Sequence, residues 1–284
     1  MLFQNQKLKT ELLAFLQSEI PKLSKLPVLN IVQIGNNLSS TRYVNLKKKI
    51  GLNLGLEVNH LHFEEEFILP KLSLNTIFDS NQGLIFQLPI PDNFWSMMRS
   101  VPYKCDVDML GDQLEKLWQE GFLPPTVQAV DLVLKLMMKD KNLLKDDLSS
   151  VELILNYQLD LSGFKVAVIG QGVLVGKPLI RYLLDRGATI LTINKETPNP
   201  AELVKLADIV LSGAGVPKLV TSNWLKTNCI VIDVATSNSN GVLVGDVDIE
   251  NLDESVYLCP SPGGVGPLTV LCLFWNLIKL QGLR

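Results

Sequence analysis

Short apolar runs alternate along this chain with longer segments of helical length, and that alternation restricts it to a mostly parallel α/β fold. Leu29–Ile34 reads as a buried strand ending at Gly35. Thr41–Leu54 reads as a helix closed by Gly55, Leu56–Phe63 as a second strand, and Leu84–Leu88 as a third, stopped by Pro89-Ile90-Pro91. Pro124-Pro125-Thr126 opens an apolar helix, Val127–Met138, and the polar stretch Lys139–Ser150 marks a domain boundary. A second α/β unit follows: strand Lys165–Ile169, helix Lys177–Arg186 with proline in its first turn, and strands Thr189–Ile193, Ile209–Ser212, Ile230–Val234 and Tyr257–Cys259. The last helix, Val270–Leu280, is apolar enough to return to the first domain. The expected organisation is a catalytic α/β domain over residues 1–145, joined by the helix at 268–284, and a Rossmann-like dinucleotide-binding domain over residues 146–267.

The 284 residues are enough for two ordinary domains, and 47% hydrophobic with 19% charged residues belongs to the soluble globular class. A net charge of −3 argues against a nucleic-acid binder. No run reaches the ~18 apolar residues of a membrane span, and Met1–Ser18 lacks a signal-peptide pattern. Cys105, Cys229, Cys259 and Cys272 are scattered, which suits reduced thiols in a cytoplasmic protein. His60 and His62 share one face of a strand, but no cysteine or third histidine supports a metal there, so no metal is expected.

Three segments carry chemistry. Pro260-Ser261-Pro262-Gly263-Gly264-Val265-Gly266-Pro267-Leu268-Thr269 sets three prolines and three glycines between two apolar runs. Proline fixes φ and glycine opens conformations closed to other residues, so this is either a rigid hinge or a surface shaped for close approach of a ligand. Gly170-Gln171-Gly172-Val173-Leu174-Val175-Gly176 lies between a strand and a helix, where glycines let backbone N–H groups face a pyrophosphate. Its spacing is one residue longer than the usual dinucleotide fingerprint, and a tight βα turn is the alternative. At the next strand end stands Asn194-Lys195-Glu196-Thr197, where Lys195 can meet a 2′-phosphate and Glu196 can bind a free ribose; NADP is expected, with NAD as the alternative. The loop from Ser212 to Pro217, with Gly213 at its start, suits backbone approach to the same cofactor. Finally, Tyr43 and Lys47 are four apart and share a helical face, an arrangement for proton transfer or merely a solvated surface beside Lys48 and Lys49. Gln87 is a polar residue at the end of an apolar strand, where ligand crevices form.

Taken together, Tyr43-x-x-x-Lys47, Gln87-Leu88-Pro89-Ile90-Pro91, Asp106-Val107-Asp108, the Gly170 loop and Pro262–Thr269 resemble the bifunctional methylenetetrahydrofolate dehydrogenase/cyclohydrolase family. The ordered match runs from about Leu29 to Thr269, and residues 1–28 lack the family's usual opening. The resemblance implies oxidation of methylenetetrahydrofolate with NADP and hydrolysis of the methenyl product to 10-formyltetrahydrofolate. It makes Lys47 the catalytic lysine with Tyr43 and Gln87 as partners, and gives Asp108 to the pterin. It lines the folate pocket with Pro262, Gly263 and Gly266, and sets Thr269 where cofactor and folate meet. Gly170, Gln171, Gly172, Asn194, Lys195, Gly213 and Thr236 are its cofactor residues. A homodimer is implied as well.

The chain departs from the family pattern near the cofactor. Gln171-Gly172 stands for the common Arg-Ser, Asn194-Lys195 for His-Ser, and Asp233-Val234-Ala235-Thr236 for an Asp-Val-Gly run. Elsewhere Met109 replaces a glycine, Cys105 a lysine, and Pro124-Pro125-Thr126-Val127 a Pro-Cys-Thr-Pro. Three other functions remain open: cyclohydrolase activity alone, a folate-binding protein with impaired dehydrogenase, and a two-domain dehydrogenase of shikimate dehydrogenase type.

Overall fold

Each apolar run named above becomes a parallel strand. A computed structural model of the protein describes residues 1–64, 82–239 and 242–282. The chain forms two compact units, one of Leu12–Pro125 with Val270–Arg284, the other of Met1–Glu11 with Thr126–Thr269. They part at Pro125–Thr126 on packing, whereas the boundary expected after residue 145 follows linker composition.

In the first unit, β1 (Val28–Ile34) is the centre of a parallel sheet between β2 (Glu57–Phe63) and β3 (Gln82–Gln87). Val28 is in register with Glu57 on one side and Gln82 on the other. Being buried on both faces, β1 is nearly continuous in apolar residues, as parallel strands are. Helix α1 (Gln6–Glu19) is divided between the units after Glu11, and its Leu12 and Leu16, spaced four apart, are buried in the part that belongs to this one. Helix α2 (Leu38–Asn53) starts three residues before the expected Thr41. The cause is local: the Asn37 side chain accepts the Ser40 N–H at 3.0 Å and caps the helix there. Two short helices, α3 (Trp95–Arg99) and α4 (Leu114–Gln119), follow β3. Between them Asp106 pairs beside Leu84, extending the sheet by one bridge.

The second unit opens with α5 (Pro125–Asp140) and α6 (Val151–Asn156). Its parallel sheet contains β4 (Lys165–Ile169), β5 (Thr189–Ile193), β6 (Ile209–Ser212), β7 (Ile230–Asp233) and a strand β10 (Tyr257–Cys259), in the order β10-β7-β6-β4-β5. Helices α7 (Gly176–Asp185) and α8 (Pro200–Val204) belong to the crossovers, and a small hairpin joins β8 (Ser237–Ser239) to β9 (Val242–Val244). The strand order reverses between β4 and β6, and the crevice beyond the carboxyl ends of such strands is where open α/β sheets bind ligands. A buried ion pair, Lys135 Nζ to Asp131 Oδ2 at 2.7 Å, ties α5 within this unit; Lys135 also donates to the Ile154 carbonyl, and Tyr182 of α7 donates to Asp131.

The final helix, α9, runs Val265–Gln281 and so begins five residues before the expected Val270. Pro267 falls in its first turn, where a missing N–H costs nothing. From Val270 onward the helix packs into the first unit, with Leu271, Phe274, Leu277 and Ile278 all buried. A Cβ on Gly83 of β3 would lie 2.5 Å from Leu277 Cδ1 and 2.5 Å from Val107 Cγ2, so a side chain there would force those two buried methyl groups to move.

Candidate active site

Lys47 projects from α2 toward the carboxyl end of β3. It is only 8% exposed, and its Nζ donates to Gln87 Oε1 at 2.7 Å. The Gln87 amide is fixed from its other side, because Nε2 donates to the Leu88 carbonyl at 3.1 Å. That carbonyl also takes the Ser40 hydroxyl at 3.0 Å, which ties the strand end to the start of α2. Burial lowers the pKa of Lys47, while the nearby Asp108 carboxylate works the other way. Asp108 is raised by its own burial and partly restored by Lys47. Tyr43 lies half-buried one turn before Lys47 on the same helix.

The loop carrying Asp108 is held by its neighbours. Asp106, buried, accepts N–H groups from Leu110 at 3.2 Å and Gly111 at 2.8 Å, and burial pushes its acid up to about 7. Met109 adopts φ 56°, the left-handed region the family glycine would occupy freely, and its side chain is buried. Asn276 of α9 donates to the carbonyls of Val107 at 3.2 Å and Leu123 at 2.9 Å. Sequence reasoning missed Asn276; a lone amide within the apolar run Val270–Leu280 was the available signal.

In the second unit the glycines cluster. Gly170 has φ 91°, and a Cβ there would sit 2.6 Å from the Gly213 carbonyl oxygen. A Cβ on Gly176 would meet the Gly170 carbonyl oxygen at 2.0 Å, so the loop passes directly under the start of α7. Gly172 has nothing within 4 Å of its Cβ position and faces open space. A backbone cradle open at its centre and lying at a helix N-terminus fits a dinucleotide pyrophosphate. Asn194 Nδ2 reaches Gln171 Oε1 at 3.4 Å across the ends of β5 and β4. Its Oδ1 accepts the Glu196 N–H at 2.9 Å, closing the turn. Lys195 and Glu196 are exposed and pair at 3.7 Å.

Other expected site residues are engaged locally. The hydroxyls of Thr236 and Ser261 are 2.8 Å apart. Thr269 lies inside α9 and donates to the Val265 carbonyl at 3.2 Å. Gly263 has φ 99°, and a Cβ on Gly264 would fall 2.2 Å from the Pro260 carbonyl oxygen, so the turn from Pro260 to Gly264 demands both glycines. Asn5, just before α1, donates to the carbonyls of Gly263 and Gly264. Gly266 and Pro267 are helical rather than part of that turn. Asp246 was not singled out from sequence either, yet its carboxylate gathers Ser212 and three N–H groups of the loop after β6. Among the described residues no group of three or more His, Cys, Asp and Glu side chains is arranged to hold a metal.

A parallel sheet with a glycine cradle at its strand-order reversal, in one chain with a lysine buried beside a strand-end amide, defines an α/β dinucleotide enzyme with a proton-transfer centre. The model of the tetrahydrofolate dehydrogenase/cyclohydrolase NAD(P)-binding domain matches residues 147–283. The bifunctional protein FolD of Mycoplasmopsis synoviae is 34% identical over 267 residues, covering 89% of this chain and 88% of that protein. FolD of Acholeplasma laidlawii is 32% identical over 292 residues, covering 99% and 98%. Among solved structures, the FolD methylenetetrahydrofolate dehydrogenase/cyclohydrolase of Campylobacter jejuni superposes with a TM-score of 0.83 at 27% identity, covering 100% and 99%. The chain belongs to the bifunctional methylenetetrahydrofolate dehydrogenase/cyclohydrolase family.

Proposed function

We propose that the protein oxidises methylenetetrahydrofolate to methenyltetrahydrofolate with NADP, and hydrolyses that product to 10-formyltetrahydrofolate. The observation that carries this reading is the buried Lys47–Gln87 hydrogen bond of 2.7 Å with Asp108 acting on the same amine. When bound, the nicotinamide supplies a hydride acceptor for the methylene carbon. Nitrogen lone pairs of the substrate stabilise the developing cation, so the chain's task in this step is to hold the reactants in line. Asp108 suits the guanidine-like edge of the pterin, whose N–H groups a carboxylate can accept in pairs.

Hydrolysis needs a proton carrier. Burial keeps a larger share of Lys47 neutral than an exposed lysine would have. The neutral amine takes a proton as water bonds to the methenyl carbon, then returns it to the ring nitrogen as the carbon–nitrogen bond breaks, while the remaining hydroxyl proton leaves to solvent as the formyl C=O forms. Gln87 Oε1 holds the amine while this happens, and Tyr43 is assigned the same wall. Pro262, Gly263 and Gly266 are assigned to the folate, and Gly170, Gln171, Gly172, Asn194, Lys195, Gly213, Thr236 and Thr269 to the cofactor. The working assembly is taken as a cytoplasmic homodimer, which light scattering tests; among the described residues no helix is long and apolar enough to cross a membrane.

The test is an absorbance assay with methylenetetrahydrofolate and each nicotinamide cofactor, followed by decay of the methenyl band. Lys47→Met should abolish that decay in a protein with unchanged circular dichroism. Hydrolysis at near wild-type rate would remove Lys47 from the mechanism.

A further inference from the structure

The loop after β6 is shaped from behind. Asp246 is fully buried, and its Oδ2 accepts the Ala214 N–H at 2.7 Å, the Gly215 N–H at 3.3 Å and the Ser212 hydroxyl at 2.7 Å. Its Oδ1 accepts the Val216 N–H at 2.8 Å. Three backbone N–H groups in succession, the usual material of a phosphate cradle, are thereby consumed by the protein's own anion. The Gly213 carbonyl oxygen is instead pressed toward Gly170. The Ser237 hydroxyl donates to the Gly215 carbonyl at 2.9 Å from the neighbouring hairpin.

Asp246 is itself held on both sides. The Val220 N–H donates to its carbonyl at 2.8 Å, and the Val247 N–H donates to Asp233 Oδ2 at 3.0 Å. A Cβ at Gly245 would lie 2.1 Å from that same Asp233 oxygen, so the main chain beside Asp246 rests directly on the end of β7. The result is a nested brace in which Asp233 seats the segment that carries Asp246, and Asp246 seats the loop.

Which half of the cofactor meets this loop follows from the sheet. The ribose-reading turn at Asn194 follows β5, on one side of β4, and the Gly213 loop follows β6, on the other. With the pyrophosphate over Gly170, the loop after β6 lies on the nicotinamide side. We propose that Asp246 is a positioning residue for the dehydrogenase step, fixing Gly213–Val216 as a preformed wall for the nicotinamide riboside. With its N–H groups spent on Asp246, and the Gly215 and Val216 carbonyls accepting from the Ser237 hydroxyl and the Leu219 N–H, the loop is held as a fixed surface that meets this half of the cofactor by its shape. This rests on the functional reading of the preceding subsection.

Asp246→Asn tests it, because the amide keeps the volume but turns an NH2 against the loop's N–H groups. The dissociation constant for NADP, measured by titration calorimetry, should rise about tenfold or more, the size of one buried donor left unpaired. The KM for NADP should rise with it, while methenyl hydrolysis, which uses no cofactor, keeps its wild-type rate. Ser212→Ala removes one donor to the same carboxylate and should shift NADP binding the same way by a smaller factor; it keeps the test alive should the asparagine variant not fold. Unchanged NADP binding in both folded variants overturns the proposal. So does a loss of hydrolysis in step with binding, since the carboxylate would then only hold the unit together. A wild-type chain that binds no nicotinamide cofactor overturns the functional reading itself, which separates the two failures.

Discussion

Lys47 Nζ and Gln87 Oε1 meet at 2.7 Å in a buried site where the amide is already oriented by the Leu88 carbonyl. The amine therefore has one fixed hydrogen bond, and its proton affinity is set by burial pulling it down against Asp108 pulling it up. Replacing Asp108 by asparagine removes the upward pull, so the Lys47 pKa falls further. Hydrolysis that needs the neutral amine rises with pH through that pKa. The rising limb of the pH–rate profile for methenyl hydrolysis, taken at saturating substrate, should thus move to lower pH in Asp108→Asn. A limb that stays in place would mean the two groups do not interact during turnover. The KM for folate should increase in the same variant.

Asn276 connects the last helix to the loop that presents Asp108. It is buried and donates to both the Val107 and Leu123 carbonyls. Asn276→Leu leaves those two carbonyls unpaired in a dry site, at a cost of about 1–3 kcal/mol each before relaxation. The urea midpoint should fall accordingly, and the folate KM should rise because Val107 adjoins Asp108. Unchanged stability would show that water or backbone movement replaces both bonds.

Strands were legible in this sequence because parallel strands buried on both faces are nearly unbroken apolar runs, and β4 and β6 begin and end where those runs do; β5, the half-exposed edge strand Thr-Ile-Leu-Thr-Ile, was legible from its β-branched residues instead. Helix ends were less legible. The start of α2 is set by one side-chain cap at Asn37, and α9 absorbs Gly266 and Pro267, residues whose composition reads as loop. Gln87 stands out as a polar residue at the end of an apolar strand, whereas Lys47, beside Lys48 and Lys49, reads equally as a solvated surface until the resemblance is considered, because its burial comes from tertiary packing. Asp246 could not be picked out, since nothing in Gly245-Asp246-Val247 announces that the carboxylate folds back under a loop more than two dozen residues earlier. Met109 shows the same limit from the other direction: the loss of the family glycine was visible, but the chain keeps the left-handed turn and buries the methionine instead.

In the proposed reading, cofactor choice turns on the end of β5. Lys195 pairs loosely with Glu196 at 3.7 Å, and both side chains are exposed, so a surface ion pair of this kind resists rearrangement by no more than about 1 kcal/mol. A 2′-phosphate can then draw Lys195 away from Glu196. Lys195→Ala should lower the ratio of kcat/KM for NADP to that for NAD, and Glu196→Gln should raise it by removing a competing charge. An unaltered ratio in Lys195→Ala would exclude the lysine from phosphate recognition.

Asp233 gives the protein a pH-dependent stability whose sign can be worked out. The side chain is fully buried, Oδ2 takes the Val247 N–H, and Oδ1 has no hydrogen-bond partner among the described residues. Burial, with the Asp246 charge adding to it, pushes the acid up to about 7. An aspartate in the unfolded chain releases its proton near pH ~3.9. Between those two values the folded state holds a proton that the unfolded state has lost, so stability falls as pH rises. This contribution is complete below the unfolded pKa and is lost as pH rises through the folded one. Asp106, also raised to about 7, and Asp108, raised by its burial, contribute with the same sign, so wild type alone does not isolate Asp233. Asp233→Asn resembles the protonated acid at every pH and removes the Asp233 contribution alone. The urea midpoint of wild type should therefore drop more than that of Asp233→Asn between pH 5 and pH 7.5, by an amount on the order of a few kcal/mol in unfolding free energy. Parallel curves for the two proteins would mean that Asp233 is ionised in the folded state throughout this range.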